Sequence, residues 1–183
     1  MRAMFILIAV LFGQSATAQD WNTQVRVSGA ENGSYETTGH GNSFGSNASG
    51  AYFMADFYAD GVNEGARCET VEYFEVDFFF GQAATWETQV QFPMRRSEGG
   101  FSAGEPNVYF ATLDRSDNVV ESYWNEAAAK VAVTKIECRP DGRFDMAISF
   151  AGALVSETRG AEFTVDIVGE SAATLTLTDI DQF

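Results

Sequence analysis

The chain has 183 residues, 26 acidic against 11 basic side chains and one histidine, for a formal net charge of −15. That balance repels nucleic acid and anionic lipid and favours neutral or basic partners. With one histidine and two cysteines the chain lacks the usual zinc ligand set, and any Ser-His or Cys-His site would depend on His40, which lies in a Gly/Asn-rich stretch.

The N-terminus reads as an export signal. Arg2 gives a positive start, Phe5 to Phe12 is an unbroken apolar run, and Ala16-Thr17-Ala18 has the small-x-small pattern that a signal peptidase cuts. Residues 1–18 are therefore predicted to be removed, with the mature chain starting at Gln19. Eight apolar residues fall well short of the about 20 that cross a bilayer as a helix. The expected product is exported, periplasmic or extracellular, and not membrane-embedded. Its 165 residues (19–183) suit one domain, and losing Arg2 takes the net charge to −16.

Beyond residue 19 apolar residues recur with period two, the mark of strands with one face in a core. Residues 23–28 form a weak first candidate. Residues 29–50, rich in Gly, Ser, Asn and Thr, read as a long mobile loop. Residues 51–58 follow. The clearest pattern is 71–80, where Phe74, Val76, Phe78 and Phe80 share one face and Tyr73, Glu75 and Asp77 the other. Further candidates are 85–92, 108–113, Val119–Trp124, Lys130–Cys138 and 143–152. Phe163, Val165 and Ile167 mark another strand, and Leu175 with Leu177 a separate one. Residues 93–106 read as a second loop, 114–118 and 139–142 as turns, and 125–130 as the best short helix. About ten antiparallel strands with regular turns predict an all-β fold, a jelly-roll-like β-sandwich. An outer-membrane barrel fits poorly, because Asp179 and Asp181 would face lipid in its closing strand.

Cys68 and Cys138, 70 residues apart, are expected to form one disulfide in an oxidising compartment. Closing so large a loop is worth roughly 4 kcal/mol on the chain-entropy account.

Carboxylates are the most chemically suggestive groups. Glu75 and Asp77 leave one strand on the same side, with Tyr73 beside them and Glu87 on the next strand, and these four are the candidate ligand-binding residues. Glu75-Val76-Asp77-Phe78-Phe79-Phe80 resembles the first half of the E-x-D-x-x-E strand of laminarinase-type glycosidases. Phe80 stands where that pattern places its acid/base glutamate, so the resemblance stops short of a catalytic pair. Calcium is the one credible cofactor, with Asp114, Asp117 and Asn118 as the candidate ligands. Asp56/Asp60/Asn63/Glu64 and Asp179/Asp181 form looser oxygen clusters. Trp86 is expected in the core, while Trp21 and Trp124, near strand ends, could stack on a sugar. The expected function is an exported, non-catalytic binding, adhesive or surface-associated module with a protein or glycan partner. The alternative is a carbohydrate-active domain using Glu75 and Asp77.

Overall fold

A computed structural model describes residues 20–40, 44–46, 50–59, 71–125, 129–141, 143–175 and 178–179. Thirteen strands account for most of these residues, and no helix occurs among them. In chain order they are β1 (Asp20–Gly29), β2 (Gly33–His40), β3 (Phe44–Ser46), β4 (Ala51–Ala59), β5 (Tyr73–Gln82), β6 (Trp86–Ser97), β7 (Gly100–Ala103), β8 (Asn107–Leu113), β9 (Val119–Trp124), β10 (Lys130–Cys138), β11 (Phe144–Ser156), β12 (Gly160–Leu175) and β13 (Thr178–Asp179). The hydrogen-bonded order is β13-β4-β5-β6-β8-β9-β11-β12-β1-β2, with β3, β7 and β10 pairing β4, β6 and β11 from off this path. The path is open, with β13 and β2 at its ends. All pairings are antiparallel except β13 with β4. The all-β expectation holds.

Several elements differ from the sequence reading. The stretch 29–50 is not one loop: β2 pairs with β1 from Asp20/His40 to Val27/Gly33, and β3 pairs with β4. Tyr35 supplies the bulk that β2 otherwise lacks, and Gly39 leaves room for the Trp21 ring, since a Cβ there would lie 2.2 Å from it. The stretch 93–106 is likewise a hairpin. β6 runs on to Ser97 and turns at Gly100 (φ +117°) into β7. The two C-terminal patterns join in the 16-residue β12. Leu177, Cys68, Asp60, Asn63, Glu64 and Asp181 lie outside the described residues, as do 126–128 of the helix candidate.

The inward faces carry the aromatics. Phe74, Val76, Phe78 and Phe80 of β5, Trp86, Val90, Phe92 and Met94 of β6, and Val108 and Phe110 of β8 are all essentially buried. They meet the inward faces of strands far away in the hydrogen-bonded order. Trp21 of β1 stacks on Phe53 of β4 at 5.3 Å, Tyr35 of β2 meets Trp86 at 4.9 Å, and Phe80 meets Phe150 of β11 at 6.1 Å. Trp21 is 2% exposed, which removes it as a surface platform. Such ring pairs add about 0.5–1.5 kcal/mol each beyond the area they bury.

Backbone bonding between the β4–β9 half and the β11–β2 half is thin. β9 and β11 pair only at Trp124/Val155 and Tyr123/Ser156. A polar cluster closes the rim beside this corner. Glu121 points inward at 8% exposure, accepts hydrogen bonds from the Ser156 and Thr158 hydroxyls, and forms an ion pair with Arg159 Nε at 3.0 Å. Arg159 also reaches Glu31 in the β1–β2 turn at 3.3 Å and donates to the Tyr123 hydroxyl, while lying over Phe163. One guanidinium thus links the β11–β12 turn, β9 and the β1–β2 turn.

Burial pulls the Glu121 carboxyl upward, but the two hydroxyls and the guanidinium together outweigh it and hold it below the usual 4.5. A depressed carboxyl contributes stability that is present above its unfolded value and lost as pH falls through the folded one. Glu121→Gln is expected to cost about 2 kcal/mol at pH 7, the low side for a buried pair because Arg159 is partly exposed. Urea unfolding of both proteins should show that gap narrowing as pH drops below 4.5. A gap independent of pH would contradict the assignment.

Candidate functional site

Alternation along β4, β5, β6, β8 and β9 turns a second set of side chains away from the core, and register aligns them in rows. Tyr52, Gly81, Glu87 and Ala111 form one row across β4, β5, β6 and β8. Met54, Phe79, Gln89, Tyr109 and Trp124 form the next, ending on β9. Asp77, Gln91 and Asn107 form a third, followed by Glu75 with Pro93 and by Tyr73 with Arg95.

The sequence candidates Tyr73, Glu75, Asp77 and Glu87 all lie on this face, each in a different setting. Asp77 is the surprise, at only 8% exposed. Gln89 Nε2 donates to its two oxygens at 3.0 and 2.8 Å, and Gln91 Nε2 donates to Oδ2 at 2.9 Å. Two amides from the neighbouring strand thus replace the water a buried carboxylate would otherwise lose. Glu75 is half-buried and accepts a hydrogen bond from the Tyr73 hydroxyl, and Arg95 lies over the Tyr73 ring at 5.0 Å.

Glu87 sits between two phenols. Tyr52 donates to Oε2 at 3.1 Å and Tyr109 to Oε1 at 3.2 Å. Gly81 makes the first bond possible, because a Cβ there would lie 2.6 Å from the Tyr52 hydroxyl oxygen and 2.4 Å from the Trp86 carbonyl oxygen. Burial, then the Glu87 charge and hydrogen bond, push both phenols well above the usual 10. The Tyr109 ring in turn meets the Trp124 indole at 4.7 Å. Trp124 is 38% exposed, so of the three tryptophans it alone offers a surface to solvent, while Trp86 is core as expected.

A groove of about 280 Å³ crosses this face, lined by Glu75, Asp77, Gln91, Pro93, Glu105 and Asn107 among others. The residues that sequence reasoning missed are Gln89, Gln91, Asn107 and Tyr109. The only local signal was their alternation with Val90, Val108 and Phe110. A second depression, of about 330 Å³, lies on the opposite half around Gln24, Arg26, Ser149, Val168 and Glu170. It has no aromatic lining residue.

The turn proposed for calcium is engaged in its own folding. Asp114 accepts the Ser116 and Asn118 amides at 2.7 and 3.0 Å and the Asn118 side chain as well, which hold its carboxyl below the ordinary range. Asp117 adopts φ +59° and accepts the Ala84 amide at 2.6 Å, tying this turn to the β5–β6 turn. A cation at this turn would compete with those donors. Among the described residues no three His, Cys, Asp or Glu stand together as a metal site, and no helix is long and apolar enough to cross a membrane.

The Glu87 bridge has a spectroscopic signature. In Glu87→Ala, both Tyr52 and Tyr109 lose an anion and an acceptor, so their phenol ionisation is expected to move to lower pH. Absorbance titration at 295 nm should show the high-pH part of the tyrosine curve shifting down relative to wild type. Superimposable curves would mean that Glu87 does not bridge the two rings.

Comparison with protein-family models, with curated proteins and with solved structures found no match for this chain.

Proposed function

We propose that the chain is exported, is cut before Gln19, and folds as one β-sandwich domain that binds a partner and turns nothing over. Ring contacts between strands distant in the sheet order support the two-layer reading, since they require the two halves to face each other. A Cys68–Cys138 bond would fasten the end of β10 to the segment preceding β5.

The observation that carries the binding role is the state of the carboxylates. Glycoside hydrolysis needs one carboxyl free to protonate the leaving oxygen and a second to act as base or nucleophile. On this face Asp77 is held by two amides, Glu87 by two phenols and Glu75 by one, which leaves the exposed Glu105 of the groove without a second unengaged carboxyl among the described lining residues. Groups locked this way act as fixed acceptors, which suits recognition of a polar ligand in a preformed site. The partner is a glycan or a protein surface, neutral or basic given the net charge.

Because residues 33–40 form β2 and 100–103 form β7, shortening either stretch would remove a strand. The functional test therefore belongs on the outer face. Purified mature protein incubated with soluble glycans should release no reducing ends above the buffer blank. Release that vanishes in folded Glu75→Gln would refute the proposal in favour of a carbohydrate-cleaving enzyme.

Export and pairing are checked separately. Intact mass of secreted material should begin at Gln19, and thiol titration of unfolded, unreduced protein should find no free thiol. Two titratable thiols would remove the disulfide from the account.

A further inference from the structure

We infer that the ligand is an uncharged glycan, with one sugar ring lying on Trp124 and Tyr109 and a neighbouring sugar hydrogen-bonded in the groove at Gln91, Asn107 and Glu75. This rests on the binding-module reading above and names the ligand class for it.

The rings come first. A tryptophan left 38% exposed is a large apolar surface in water, and Trp124 is kept there by its contact with Tyr109 and by its pairing with Val155. Tyr109 is fixed in turn by its bond to Glu87. The two rings are thus held by each other and by Glu87, so little side-chain entropy remains to be lost when a flat, C–H-rich sugar face covers them.

The groove supplies the polar half. Tyr109 is two residues from Asn107 on β8, and Gln89 is two from Gln91 on β6, so platform and groove are neighbouring rows about 7 Å apart along the strands. Asp77 receives the Nε2 ends of Gln89 and Gln91. That fixes which end of each amide faces the carboxylate and turns both Oε1 atoms away from it. Asp77 is a positioning residue in this scheme, and the amide carbonyls, Asn107, Glu75 and Glu105 are the groups that meet the ligand. This set is rich in acceptors, matching a ligand rich in hydroxyl donors, and hydrogen bonds from hydroxyls to carboxylates are the stronger, charge-assisted kind.

Charge narrows the class. Glu75, Asp77 and Glu105 line the groove, and no Lys or Arg is among its lining residues. Arg95, the nearest cation in the rows, lies over the Tyr73 ring. Uronate or sulfated polymers would bring like charge to this face. An uncharged polyhydroxyl chain meets both the aromatic and the acceptor halves without that penalty.

The test is isothermal titration of the mature protein with cellohexaose, laminarihexaose, xylohexaose and mannohexaose, with a galacturonate hexamer and an oligolysine peptide as counter-probes. At least one neutral hexaose should bind, and the galacturonate hexamer should not. Affinity for that hexaose should fall at least tenfold in Trp124→Ala and in Asn107→Ala, each with the wild-type melting temperature. Asn107 is an exposed groove residue, so its variant keeps the test decisive if Trp124→Ala unfolds. Binding of no neutral hexaose, or undiminished binding by folded Asn107→Ala, would overturn the inference. Oligolysine as the sole ligand would overturn the glycan class while leaving the binding module intact. Hexaose cleavage would do the reverse.

Discussion

The described fold depends on aromatic packing between two halves of one sheet that, among the described residues, share very little backbone bonding. Only two residue pairs join β9 to β11. Trp21 on Phe53, Tyr35 on Trp86 and Phe110, and Phe80 on Phe150 bring the halves together elsewhere. Burying one such side chain is worth roughly 1.5–3 kcal/mol, against at most about 1 kcal/mol for an exposed ion pair. Packing therefore supplies the stability. The Glu121–Arg159 cluster joins β9 to the β11–β12 and β1–β2 turns beside the short β9–β11 pairing.

That division of labour shapes the site. The inward face of β5, β6 and β8 packs the core, and the outward face carries polar and aromatic groups. Those groups are organised by one another. Glu87 holds two tyrosines, one of which supports Trp124, and Asp77 holds two glutamines. Trp124 also belongs to the corner itself, through its pairing with Val155, so the rim cluster and the exposed indole lie on the same short strand as Glu121. A surface whose side chains already hold one another would lose little entropy on binding a ligand.

Much of the fold was legible because period two is a local signal. Val119–Trp124 and Lys130–Cys138 match their strands end to end, and the alternation in 71–80 names the inward residues of β5 correctly. β2 was missed for a non-local reason. Its Gly39 is useful only because the Trp21 ring lies over it, and no composition rule sees that partner. β7 was missed because Arg95, Arg96 and two glycines look like loop, whereas Arg96 lies over the Phe101 ring 4.3 Å away and Gly100 supplies the turn. The site divides in the same way. Shared facing of Tyr73, Glu75 and Asp77 follows from spacing alone. The burial of Asp77 does not, because the glutamines that bury it belong to another strand, and their register is fixed only by the fold.

The central claim is that recognition occurs on the outward face of β5, β6 and β8, through groups already in place. The most direct measurement is a ¹H–¹⁵N correlation spectrum of the mature protein, recorded while a bound neutral hexaose is titrated in. Perturbations are predicted at the Trp124 indole N–H, the Gln89 and Gln91 side-chain amides and the Asn107 amide, with the rest of the spectrum nearly still. Perturbations confined to the Arg26, Ser149 and Val168 face, or spread through the core, would contradict the account.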